Sequence, residues 1–153
     1  MQSAINEQIN FEMFSANTYL SMSAYFAQQG LDGFAHWYYM QYKEELAHAE
    51  DMMHYVITRG GKVEIKAVAA VETEFNSPLE IAEKAYHHEC LVSEKIENIV
   101  RIASEEKDMP SQDFFWKYIR EQVEEEANAT TLIDRIRLSE GHSLLFLDKE
   151  LGE

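Results

Sequence analysis

The sequence predicts an all-α protein: a four-helix bundle with one long crossover between its second and third helices, and a short fifth helix at the C-terminal end. Three observations predict it. The 153 residues include only six Gly and two Pro, and these breakers are grouped, so long stretches run uninterrupted between them. Each stretch presents one apolar face at helical spacing. One long interval, about residues 60–76, has no helical period and is long enough to run the length of a bundle, which sets the helices on either side of it parallel.

The first predicted helix covers about 3–29 and ends at Gly30. The second, 32–59, follows the Gly30 and Gly33 cluster with Asp32 as its expected N-cap, and stops at Gly60 and Gly61. The third, 77–106, opens on Ser77-Pro78-Leu79-Glu80. That run reads as a capping box, with Ser77 as N-cap and Glu80 reaching back. The fourth, 110–139, starts at Pro110 and ends before Gly141. Both prolines fit a first helical turn, where the missing N–H has no partner to lose. The glycines fit helix ends that need a left-handed residue. The fifth helix spans about 143–151. Tight connections make the first and second helices, and the third and fourth, antiparallel hairpins. Each long helix should extend roughly 40 Å at about 1.5 Å per residue. Residues 1–153 read as one domain without internal repeats.

Composition narrows the function classes. Thirteen Lys and Arg face 28 Asp and Glu, a formal charge of -15. Such a surface repels phosphate, which argues against a nucleic-acid partner, and it attracts cations. The single cysteine, Cys90, cannot form an internal disulfide and suits a reducing cytosol. The N-terminus lacks a basic start and an apolar core, so no signal peptide is expected. No run of 18 or more apolar residues occurs, so no membrane partner is expected either. The expected location is the cytoplasm.

The seams contain an anomaly. In the first helix the seam reads Ile5, Ile9, Glu12, Ala16, Tyr19, Ser23, Phe26, and in the second Phe34, Tyr38, Gln41, Glu45, His48, Met52, Tyr55. In the third it reads Ala82, Tyr86, Glu89, Val92, Ile96, Val100, Ala103, and in the fourth Phe115, Tyr118, Gln122, Glu125, Ala129, Leu132, Ile136. Every seam has a Glu near its middle. Glu89 and Glu125 are each about eighteen residues from their turn. Glu12 and Glu45 differ by about five residues from theirs, roughly 7 Å along the bundle. Four carboxylates and the His48 imidazole therefore converge, with Glu45 and His48 on one face at i and i+3. A lone seam Glu is usually a boundary residue, and a lone Glu-x-x-His recurs by chance in acidic helices. Four seam carboxylates at matched height plus that pair are far more specific. Burying each ion costs several kcal/mol, like charges add to the cost, and no Lys or Arg lies in these middle turns. Either the carboxyls are protonated or cations fill the site. Oxygen donors with one imidazole suit Fe(II) or Mn(II), and Glu45 is placed to bridge two ions.

These residues resemble the bacterial non-haem ferritins. The likeness covers essentially the whole chain and rests on Asn6-Glu7-Gln8-Ile9-Asn10-Phe11-Glu12 with Tyr19 one heptad on, Gly33-Phe34-Ala35-His36-Trp37, Glu44-Glu45-Leu46-Ala47-His48-Ala49, Tyr86-His87-His88-Glu89, Glu121-Gln122-Val123-Glu124-Glu125-Glu126 and the closing Phe146-Leu147-Asp148-Lys149-Glu150-Leu151. The resemblance implies a ferroxidase centre that oxidises Fe(II) with O2 or H2O2. One iron would be held by Glu12, Glu45 and His48, a second by Glu45 as bridge, Glu89 and Glu125, with Gln122 nearby. Tyr19 would hydrogen-bond a ligand and give an electron. A third iron site would use Glu44, Glu121, Glu124 and Glu125. The family also implies a 24-subunit homo-oligomeric cage that stores ferric mineral. Departures from the wider superfamily matter. Asn128 stands where bacterioferritins and rubrerythrins have a second His, so the second iron lacks an imidazole. Leu46 stands where bacterioferritins have the haem-ligating Met, so haem is not expected. Three readings compete: a di-iron peroxidase or oxygenase, a Dps-like mini-ferritin that coats DNA, and a metal-free bundle with a polar layer.

Overall fold

Among the described residues, five helices form in the expected order: α1 Gln2–Gln28, α2 Asp32–Thr58, α3 Pro78–Glu105, α4 Met109–Leu138 and α5 Leu144–Leu151. The computed structural model of the chain describes residues 1–139 and 143–153, and Gly141, read above as a breaker, lies outside them. Each boundary falls within one residue of its expected place. The local chemistry explains why. Gly30 and Gly60 take φ of 78° and 79°, which an L-residue adopts only at a cost of roughly 1 kcal/mol. Lys107 makes the same left-handed turn between α3 and α4 at φ 58°, where the sequence offers no glycine.

The N-termini differ in detail from expectation. Ser77 caps α3, its Oγ accepting from Glu80 N at 3.1 Å. The Glu80 carboxylate reaches back one residue further than expected and accepts from Asn76 N at 3.3 Å. Asp32 does not cap α2. It is the helix's first residue, Leu31 holds the cap position, and neither supplies a side-chain cap. The Phe34 N–H instead donates to Asp148 Oδ1 on α5 at 2.8 Å. The closing helix therefore caps the second one. Asp108 caps α4, accepting from Ser111 N at 3.2 Å.

Two apolar clusters fill the bundle. Phe26, Phe34, Ile81 and Leu132 meet at one end with Leu147 of α5. Ile9, Met52, Ile96 and Phe115 meet at the other. The starts of α2 and α3 thus share an end, so these helices are parallel. The crossover makes this possible by running along α1. Asn6 Nδ2 donates to Lys62 O at 2.9 Å and Asn6 Oδ1 accepts from Glu64 N at 2.8 Å. One turn on, Asn10 Nδ2 donates to Glu64 O at 3.1 Å and its Oδ1 accepts from Lys66 N at 2.9 Å. Ser21 Oγ then donates to Glu72 O at 2.6 Å. Two asparagines one helical turn apart thus replace the hydrogen bonds that a strandless, helixless segment cannot supply to itself. Between the two clusters lies a polar layer. Among the described residues, no helix is long and apolar enough to cross a membrane.

Candidate metal centre

Four helices each bring one carboxylate into that layer. Glu12 on α1, Glu45 on α2 and Glu89 on α3 are 1%, 3% and 2% exposed. Glu125 on α4 is half-buried. The ligand atoms of Glu12, Glu45 and His48 all lie within 4.8 Å of one another, so the side chains close the offset that counting from the turn leaves between α1 and α2. Donors about 2.1 Å from one ion are at most about 4.2 Å apart, so a small contraction gathers this set around a cation.

The hydrogen bonds divide the site into unequal halves. In the first, Gln8 Nε2 donates to Glu12 Oε1 at 3.0 Å. Glu12 Oε2 and Glu45 Oε2 are buried with no hydrogen-bond partner among the described residues. They face His48 Nδ1 at 3.9 and 3.4 Å. The other ring nitrogen, Nε2, is 2.8 Å from Glu121 Oε1. That contact fixes the imidazole so that Nδ1 faces the carboxylates, the usual arrangement of a metal-ligating histidine and its outer carboxylate. Two buried oxygens without donors beside an oriented imidazole are what a cation would satisfy. The donor set, two carboxylates and one imidazole, fits a divalent ion such as Fe(II).

In the second half the donors are already present. Tyr19 Oη donates to Glu89 Oε1, and Gln122 Nε2 donates to Glu89 Oε2 at 3.0 Å and to Ser93 Oγ at 3.2 Å. A cation there competes with existing hydrogen bonds and with the absence of a second imidazole.

Electrostatics follow the same division. Burial and then the Glu12 charge hold the Glu45 carboxyl well above the ordinary range. Burial pushes Glu12 up as well, but its neighbours Glu45 and His48 more than reverse this and bring it below the ordinary value. Burial disfavours a charged His48, yet Glu12, Glu121 and Glu45 around it push its pKa up. Glu125 is pushed up to about 8 by burial and by Glu89, Glu44 and Glu121.

The remaining sequence candidates fall in different places. Glu44 is exposed but close enough to Glu125 and Glu121 for each to act on its pKa. Glu121 is half-buried, and its bond to His48 brings its carboxyl below the ordinary value. Glu124 is exposed and is not brought to this group. His88 stacks on Phe11 with ring centroids 5.4 Å apart and bonds Ser15 Oγ at 2.7 Å. Cys90 is half-buried, with its thiol donating to Glu126 at 3.3 Å. Sequence reasoning also missed the role of Glu121 in orienting His48. The signal was available, since Glu121 lies four residues before Glu125, on the neighbouring turn of the same helix.

Residues 2–139 match the family described as ferritin-like domain. A bacterial non-heme ferritin of Bacteroides fragilis (strain 638R) is 46% identical over 153 residues, covering 100% of this chain and 96% of that protein. One from Staphylococcus aureus (strain MRSA252) is 36% identical over 151 residues, covering 97% and 91%. Among solved structures, an open pore ferritin from the hyperthermophilic archaeon Archaeoglobus fulgidus matches with a TM-score of 0.97 at 45% identity, over 99% of this chain and 95% of that one. A closed form of the same ferritin, engineered by site directed mutagenesis, also matches with a TM-score of 0.97 at 45% identity, over 99% and 94%.

Proposed function

Because this chain belongs to the ferritin family, we propose that it stores iron, oxidising Fe(II) within the bundle with O2 or H2O2 and keeping the ferric product inside a shell of 24 copies in the cytoplasm. The observation that carries this reading is the pair of buried, donorless oxygens of Glu12 and Glu45 beside the oriented His48. Fe(II) is the substrate. Glu12, Glu45 and His48 bind one ion. Glu45 bridges to a second, which takes Glu89 and Glu125 with Gln122 alongside. Two Fe(II) each give one electron, reducing O2 to H2O2 or H2O2 to water with the uptake of two protons. The protein supplies position and charge neutralisation. Tyr19, bonded to Glu89, holds that ligand in position. Glu44, Glu121 and Glu125 form an acidic exit that includes a third iron site, with Glu124 at its exposed edge.

Self-assembly is supported by apolar side chains left in solvent at the bundle ends: Leu138 is 87% exposed, Leu145 75% and Phe146 68%. These call for partners of their own kind. Adding Fe(II) in air should yield a soluble ferric mineral inside a particle of about 430 kDa, from 24 copies of 17.8 kDa. Light scattering coupled to size-exclusion chromatography reads this directly. A dimer that consumes peroxide with an organic electron donor and forms no mineral would favour the peroxidase reading instead. The Dps-like reading places metal between subunits and needs a surface that attracts DNA. Three ligands here come from one chain whose formal charge is -15.

Ion binding should release protons. Groups whose pKa is raised in the ion-free site, Glu45 by burial and the Glu12 charge and Glu125 to about 8, hold protons that a cation must displace. Anaerobic affinity for Fe(II) or Zn(II) therefore falls as the pH drops from about 8 to about 6. Calorimetric titration in two buffers of different ionisation enthalpy should give at least about one proton released per ion at neutral pH. A heat independent of buffer would refute the protonated ion-free site.

A further inference from the structure

A buried phenol outside the metal-binding set has no assigned partner. Tyr38 is 2% exposed, and its hydroxyl makes no hydrogen bond among the described residues. Leaving a buried hydroxyl unpaired costs about 1–3 kcal/mol. The rest of the ring is well used, stacked on Phe26 at 5.4 Å and on Tyr19 at 6.2 Å. Packing alone would be served by Phe.

Tyr38 also lines a cavity of about 20 Å³ among α1, α2, α3 and α4. Small side chains, Ala82, Ala85 and Ala129, leave the space open. The polar walls include the site carboxylates Glu89 and Glu125. A volume of that size admits one or two oxygen atoms and little more. The lining combines donors, the Tyr38 phenol with the Trp37 indole and the Gln41 and Asn128 amides, with the carboxylates of Glu89 and Glu125. Dioxygen has no proton to give a carboxylate. Hydrogen peroxide and water both accept from a phenol and donate to carboxylates, so they share the chemistry this cavity recognises.

We propose that the Tyr38 hydroxyl and the carboxylates of Glu89 and Glu125 form a docking site for hydrogen peroxide beside the metal centre. This rests on the iron-oxidising reading above. Peroxide held there is reduced to two waters, its O–O bond breaking as two Fe(II) each supply an electron and two protons are taken up. Tyr38 donates a hydrogen bond and is neither oxidised nor reduced. Water is the competing occupant.

Tyr38→Phe removes the oxygen and keeps the ring stacks, so the bundle should fold and bind Fe(II) anaerobically with wild-type stoichiometry. With peroxide as the varied oxidant, its KM should rise about fivefold, the value of one neutral hydrogen bond, while the rate at saturation stays within about twofold. Ala129→Leu, which fills the cavity and keeps the Tyr38 hydroxyl, should raise the same KM. Unchanged KM values in both variants overturn the proposal. Crystals soaked in peroxide decide the matter without turnover. Elongated two-atom density beside the phenol, lost in Tyr38→Phe, supports it. A single water atom or an empty cavity overturns it. If the wild type binds peroxide there but fails to oxidise Fe(II), the iron-oxidising reading falls and the peroxide site stands.

Discussion

Glu45→Ala and His48→Ala should each lower the initial rate of Fe(II) oxidation by at least about 100-fold. Changes in the shell around a metal's ligands already cost about 10- to 100-fold, and these variants remove ligands themselves. Glu45 is the more damaging loss, because the proposed bridge serves both ions. The fold should survive. Glu45 Oε2 has no hydrogen-bond partner among the described residues, and its carboxyl is crowded by the charge of Glu12, so the ion-free bundle gives up a strained buried group. Removing one acid from a like-charge cluster offsets part of the cavity left behind. Helix content and the melting temperature of the ion-free variant should therefore stay close to wild type. The second expected difference is the response to ions. Zn(II) at about 100 times its dissociation constant should stabilise the wild type by about 2.7 kcal/mol and leave both variants where they were. Stopped-flow mixing of Fe(II) with oxygenated protein reads the first effect, and thermal unfolding with and without Zn(II) reads the second. Wild-type oxidation speed in either variant would refute the ligand assignment.

Some of this architecture is legible in the sequence because periodicity reports directly on burial. Ile9, Ala16, Phe26, Met52, Ile96 and Phe115 recur at helical spacing, and all are buried. The central carboxylates stand out because they break that pattern on every seam. Other features depend on contacts between residues far apart in the chain. Asp148 caps α2 from 114 positions away, and no local rule connects it to Phe34. Asn6 and Asn10 hold the crossover because their spacing matches its backbone, which becomes visible only once the crossover lies on α1. Glu121 and Glu124 illustrate the limit within one helix. Both belong to the same acidic run, yet the helix turns Glu121 toward His48 and Glu124 toward solvent. Composition cannot separate them. His88 likewise follows a surface histidine, and the neighbouring face of α1 buries it against Phe11 and Phe14.

Gly33→Ala should destabilise the protein by about 1.5–3 kcal/mol, although the same change in an ordinary helix stabilises it by about 1 kcal/mol. The sequence groups Gly33 with Gly30 as a breaker, but the two glycines serve opposite needs. Gly30 takes a left-handed φ with open space around it, and Gly33 lies inside α2 with backbone against it. A Cβ at position 33 would sit 1.6 Å from Asp148 O and 2.6 Å from Asp148 C. Those atoms are main chain and cannot swing aside, so α5 must lift. Lifting it breaks the Phe34 N–H bond to Asp148, worth about 1 kcal/mol as a cap. It also exposes Leu147, now 5% exposed, at about 1.5–3 kcal/mol. The helix-propensity gain offsets about 1 kcal/mol of this sum. Gly30→Ala is the control, meeting no atom within 4 Å and costing only the roughly 1 kcal/mol of its φ. Urea unfolding separates the two variants, and amide hydrogen exchange should show α5 opening in Gly33→Ala alone. Equal stability of the two would mean that α5 does not dock through this contact. Because Leu145 and Phe146 lie on the same helix and face outward, undocking α5 also disturbs the surface that assembly is proposed to use. Gly33→Ala should therefore shift the particle toward smaller species, whereas Gly30→Ala leaves its size unchanged.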